Sequence, residues 1–155
     1  MEVVVGELLR QRKATLSVAE SCTGGLLAER ITSVPGSSDY FEAGFVTYTK
    51  RLKMELLGVS EAVLESAGAV SQETAEAMAV GARRRTGSTY ALSVTGVAGP
   101  GQGGETAPVG TVYVGLADVN GARVAHRQFL GDRDRIRQFT TQMALDLLRR
   151  RILGL

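Results

Sequence analysis

The chain has 155 residues, 44% hydrophobic and 22% charged, a balance too apolar for a disordered chain and a length that fits one domain, residues 1–155. A net charge of +2 argues against nucleic acid or a membrane surface as partner. The single cysteine, Cys22, excludes an intrachain disulfide and fits a reducing compartment.

Val3, Val4, Leu8 and Leu9 fall on one helix face, so residues 2–12 are expected to be helical. Thr15 to Ala19 is a short apolar run, expected as a buried strand. Gly24 to Val34 carries Leu26, Leu27, Arg30 and Ile31 at helical spacing and stops at Pro35-Gly36. Phe41 to Thr49 is expected as a second strand, apolar on both faces as in a sheet covered on two sides. Two short helices follow, Arg51 to Leu57 and Glu61 to Ser66. Ser71 then caps a longer helix that runs to about Arg85. Tyr90 to Thr95 is the third strand, and Gly96 to Gly104 a glycine-rich loop. Thr111 to Asp118 and Arg123 to Leu130 form a hairpin through Asn120-Gly121. Asp132 to Leu153 is a terminal helix with Ile136, Phe139, Met143 and Leu147 as its expected apolar stripe. Strands alternating with helices and closing on a hairpin predict an α/β fold with a mixed, mostly parallel sheet and helices on both faces. No apolar run approaches a membrane span, and residues 1–13 lack a signal-peptide core, so a cytoplasmic location is expected.

Open α/β sheets bind ligands beyond the carboxyl ends of their strands. The first strand runs into Glu20-Ser21-Cys22-Thr23-Gly24-Gly25 and then a helix. Amides at a helix start favour an anion, and the two glycines allow close approach. Ser21 stands at a strand-to-helix turn, a place that presents a nucleophile. The plainer alternative is that Ser21 or Thr23 only caps the helix. The Gly-Lys-Ser/Thr ending of a phosphate-binding P-loop is absent. Past the second strand come Tyr48 and Lys53, with Lys50 as a rival on the same helix face. Either lysine is equally readable as a solvated surface charge. Past the third strand come Thr95, Gly96 and the glycine loop, whose length is more often functional than idle. Arg133 opens the last helix. It faces the same crevice if the fourth strand is antiparallel, and it suits a phosphate or carboxylate.

The lone histidine, His126, lies mid-strand in the hairpin, which argues against a Ser-His-Asp triad. One Cys and one His do not make a typical zinc site. What remains is a serine activated by lysine, whose amine has to fall from about 10.4 toward neutrality through burial or neighbouring positive charge. Tyr48 is placed to relay a proton or orient the amine, and amides of Cys22 to Gly25 to stabilise an oxyanion.

The segments Ala19-Glu20-Ser21-Cys22-Thr23-Gly24-Gly25, Pro35-Gly36-Ser37-Ser38, Gly44-Phe45-Val46-Thr47-Tyr48, Gly68-Ala69-Val70-Ser71, Thr95-Gly96-Val97-Ala98-Gly99-Pro100 and Pro108-Val109-Gly110-Thr111-Val112 resemble, in order, the CinA C-terminal domain family, as does Gly131-Asp132-Arg133. The resemblance implies a three-layer α/β/α fold and a nicotinamide-nucleotide amidohydrolase, which converts nicotinamide mononucleotide to nicotinate mononucleotide and ammonia. It implies Ser21 as nucleophile with Tyr48 and Lys53 in the catalytic group, favouring Lys53 over Lys50. Thr95 and Arg133 match site positions. Thr23, Gly24, Gly25 and Gly96 are expected with them around the substrate. No metal or organic cofactor is expected, and the partner is the small-molecule substrate. The apolar end of the last helix, Leu153 to Leu155, suggests a homodimer. Two departures stand out. Many members carry an additional N-terminal domain resembling molybdopterin-binding proteins, which these 155 residues do not include. Many also have a lysine before Pro-Val-Gly, where this chain has Ala107. The alternatives are a non-catalytic, competence-associated protein-binding module of the same fold, and a hydrolase of another pyridine nucleotide or small amide.

Overall fold

The computed structural model describes residues 1–155. Its elements run α1 (Glu2–Arg12), β1 (Leu16–Glu20), α2 (Leu26–Thr32), β2 (Phe41–Val46), α3 (Lys50–Leu57), α4 (Glu61–Ser66), α5 (Gln72–Thr86), β3 (Tyr90–Gly96), β4 (Thr111–Asp118), β5 (Gly121–Gln128) and α6 (Arg133–Leu153). One sheet holds all five strands in the order β2-β1-β3-β4-β5. β1 pairs in parallel with β2 and β3, and β4 pairs antiparallel with β3 and β5. The expected mixed α/β sheet is what the chain forms.

Alternation along the central strands builds two unequal cores. Leu16 and Val18 of β1 and Leu92 and Val94 of β3 join the larger one, with Leu9 of α1, Leu27 of α2 and Ile136, Leu145 and Leu148 of α6. Ala19 and Ala91 point to the other face, against Leu57 of α3, Leu64 of α4 and Met78 of α5. That second face is made of small residues, so α5 packs very close to the sheet. A Cβ on Gly115 of β4 would lie 2.6 Å from the Ala75 carbonyl oxygen, which already accepts the Ser93 hydroxyl. α3 is drawn in the same way: a Cβ on Gly81 of α5 would overlap the Leu57 carbonyl. This contact sets the depth of the helix that carries Lys53.

Four sequence expectations are corrected. β2 ends at Val46, not Thr49, and alternates between half-buried and exposed residues. It is an edge strand with β1 on one side only, so its faces are not both covered. α2 begins at Leu26, because Gly24 and Gly25 take φ values of 58° and 98°, outside the helical region. On α6 the buried residues are Ile136, Thr140, Thr141, Ala144, Leu145, Leu148 and Ile152, whereas Phe139 is exposed and packs edgewise near Phe129. Thr140 can enter the core because its hydroxyl donates to the Ile136 carbonyl within the helix. β5 also stops at Gln128, leaving Leu130 exposed. No helix is long and apolar enough to cross a membrane.

Candidate active site

Two strand ends make the floor of the site. The Ser21 amide donates to the Val94 carbonyl of β3 at 3.0 Å, and the Thr47 amide donates to the Glu20 carbonyl at 2.9 Å. Pairing thus continues one residue past the ends of β1 and β2 and fixes both backbones. Thr49 caps α3 by accepting the Leu52 amide, and Lys53 follows one turn later. The Lys53 side chain is buried, with 1% exposure, and runs back toward the strands. Its Nζ donates to the Thr47 carbonyl at 2.7 Å and lies 2.9 Å from Ser21 Oγ. Lys50, the rival, is exposed on the rim of the same cleft.

Burial pulls the Lys53 amine down from its ordinary 10.5 to about 8, against the opposing charge of Glu105. An amine titrating there is available as a neutral base near physiological pH. Nζ donates to both the Thr47 carbonyl and Ser21 Oγ, and once neutral it stands within proton-transfer reach of the Ser21 hydroxyl. Cys22, beside the serine, is buried, and desolvation pushes its thiol up to about 12. That thiol is not a thiolate nucleophile at neutral pH.

Glu20 supplies what sequence reading did not foresee. Its carboxylate is wholly buried and accepts the amides of Gly25 at 3.1 Å, Leu27 at 3.0 Å and Ala28 at 2.8 Å. It therefore caps α2 from the strand behind it, a role that neither Ser21 nor Thr23 performs. The Gly24 amide goes to the Ser21 carbonyl at 3.1 Å, and Thr23 Oγ1 is buried without a partner. Thr23, Gly24 and Gly25 consequently do not line the cleft. The expectation that this helix start grips an external anion is corrected, because an internal carboxylate already holds its amides. Of the four amides in the turn, those of Cys22 and Thr23 make no intramolecular hydrogen bond. The available signal was an acid five residues ahead of a helix with glycine at its N-cap.

The cleft above this floor has a volume of about 190 Å³. Ser21, Tyr48, Lys53, Thr95, Gly96 and Arg133 all line it, from four separate stretches of chain. Thr95 is buried and donates its hydroxyl to the Ala69 carbonyl at 2.7 Å, which ties β3 to the loop before α5. Gly96 serves packing, since a Cβ there would lie 2.7 Å from the Thr111 carbonyl oxygen. Arg133, the first residue of α6, donates through Nη1 to the Gly99 carbonyl at 2.8 Å and through Nη2 to the Tyr48 hydroxyl at 3.1 Å. Tyr48 is 57% exposed, and its hydroxyl bonds neither Ser21 nor Lys53. In this structure Tyr48 is a rim residue joined to Arg133. His126 stacks near Tyr113 within the hairpin and is not on the cleft wall. Ala107 adds no charge, and its carbonyl accepts from Gln102 Nε2 at 3.2 Å. No group of three or more His, Cys, Asp or Glu side chains is placed to hold a metal ion.

The chain matches the CinA C-terminal domain over residues 1–152. It is 68% identical over 154 residues to a CinA-like protein of Solibacter usitatus, covering 99% of this chain and 37% of that protein. A CinA-like protein of Geotalea uraniireducens is 53% identical over 155 residues, again with 37% of its length covered. The chain thus spans little more than a third of these curated relatives. Among solved structures, a CinA superfamily protein of Klebsiella pneumoniae superposes with a TM-score of 0.95 at 27% identity, covering 99% of this chain and 96% of that one. A competence/damage inducible protein of Agrobacterium tumefaciens superposes with a TM-score of 0.82 at 41% identity, covering 94% and 93%. A fold and a sequence shared along almost the whole length place this chain in the CinA C-terminal domain family.

Proposed function

We propose that the chain is an amidohydrolase that deamidates nicotinamide mononucleotide to nicotinate mononucleotide and ammonia in the cytoplasm. The observation that carries the chemistry is the buried amine of Lys53 at 2.9 Å from the Ser21 hydroxyl. In this reading Ser21 Oγ passes its proton to Lys53 and attacks the carboxamide carbon. The unengaged amide of Cys22, which lines the cleft, is the donor nearest in sequence to the developing oxyanion, worth roughly 3 kcal/mol. Lys53 then returns the proton to the leaving nitrogen, the C–N bond breaks, and ammonia departs from an acyl-enzyme ester. Water attacks that ester with Lys53 again as base, restoring Ser21. Arg133 and Tyr48 form a lip suited to the nucleotide's phosphate and sugar.

The test is ammonia release from nicotinamide mononucleotide. The parent protein turns over, its kcat/KM rises with pH through about 8 as Lys53 loses its proton, and Ser21→Ala is folded but inactive. A second reading, a non-catalytic module, draws on the name of the Agrobacterium tumefaciens protein, competence/damage inducible. No turnover by the parent on this nucleotide would favour it, and activity on other amides alone would redirect the substrate.

A further inference from the structure

The cleft wall carries basic side chains, Lys50, Lys53 and Arg133, and one carboxylate, Glu105. Glu105 stands on the loop between β3 and β4, where its amide donates to the Gln102 carbonyl at 3.1 Å. Its side chain is half-buried and lies against the loop that precedes α5, with Oε2 4.0 Å from where a Cβ on Gly68 would stand. It makes no hydrogen bond or ion pair with any residue. Arg133 is already committed to Gly99 and Tyr48. Lys53 is committed to Thr47 and Ser21, although it feels the Glu105 charge. None of the three cations on the wall pairs with Glu105. An unpaired carboxylate in a partly desolvated cleft attracts a cation brought from outside.

We propose that Glu105 is a specificity determinant that selects amides borne on a permanently cationic ring, N-alkylated pyridinium carboxamides, over amides on neutral rings. This inference rests on the amidohydrolase reading above. A pyridinium ring with its carboxamide at Ser21 has a fixed, diffuse and weakly hydrated positive charge, which a single carboxylate on the wall complements without competing for the reacting atoms. The same carboxylate gives nothing to a neutral ring and costs desolvation when one covers it. Discrimination thus comes from a charge that the leaving group does not carry away.

The experiment compares two ligands that share amide, sugar and phosphate. Nicotinamide mononucleotide has a cationic ring, and its reduced dihydropyridine form has a neutral one. Dissociation constants are measured by calorimetry in the Ser21→Ala background, which prevents turnover, with and without Glu105→Gln. The cationic ligand should bind about tenfold tighter than the reduced one, and Glu105→Gln should erase that preference by weakening the cationic ligand, with the reduced ligand bound as tightly as before or more so. Equal weakening of both ligands, or no change in either, overturns the inference, and ammonia release by the parent then shows that the amidohydrolase reading stands. Absence of both binding and ammonia release rejects the two together. Glu105→Asp, which keeps the charge, should retain part of the preference, and its loss there to the same degree as in Glu105→Gln also counts against the assignment.

Discussion

The floor of the cleft and its rim are built by opposite means. On the floor, Ser21 and Thr47 are held by main-chain bonds between strand ends, Lys53 is moored through its amine on the Thr47 carbonyl, and all three are buried or nearly so. On the rim, Tyr48, Glu105 and Arg133 stand on loop or helix-start positions and remain partly or largely exposed. The floor is anchored to parallel strands whose register a core residue would have to shift. The rim depends on side chains meeting across the cleft. Substitutions below should therefore strike rate or stability, and those above should strike affinity.

Lys53→Met tests the floor most severely. Turnover should fall at least about 1,000-fold, while the unfolding midpoint at pH 7 rises by about 4 °C, because a charge disfavoured by burial is gone. The sign follows from the amine's fall from 10.5 to about 8 on folding. The cost of the charged form is complete below pH 8 and fades as pH rises toward 10.5, so the stability gap should close over that window. A gap that widens there would contradict the assignment of Lys53 as the depressed amine. Glu20→Gln sharpens the comparison from beneath the floor. Its amide nitrogen cannot accept, so one of three α2 amides loses its partner. The midpoint should drop by about 5 °C and kcat roughly thirtyfold, with KM little changed, as the turn bearing Ser21 loosens. Arg133→Ala is the rim counterpart and the mildest change. KM should rise about tenfold with kcat within about twofold of the parent and the melting curve unmoved. If kcat falls as far as it does for Glu20→Gln, floor and rim are not separable.

Much of this arrangement was legible in the sequence because parallel strands all present their carboxyl ends to one edge. Placing Ser21, Tyr48, Lys53, Thr95 and Gly96 just beyond such ends was enough to gather them, and the hairpin then returned the chain so that Arg133 joined them. What could not be read depended on which strand neighbours which. β2 alternates apolar and exposed residues only because it is the edge of the sheet. The Tyr48–Arg133 contact joins residues 85 apart, with no local signature. Glu20 reads as one more motif residue in the sequence, but its carboxylate closes the start of α2, and Thr23, Gly24 and Gly25 lie off the cleft wall. The stripe of α6 was misread because threonines with internally satisfied hydroxyls served as core, whereas Phe139 did not.

The hold of Thr47 on Lys53 is made by backbone alone. Its nitrogen is moored by the peptide oxygen of Thr47, and the hydroxyl of that threonine is buried without a partner. No side-chain exchange at position 47 deletes a peptide oxygen, so valine, of nearly the same shape, would leave the mooring intact. The amine's aim thus depends on the backbone at position 47 and not on the side chain it carries.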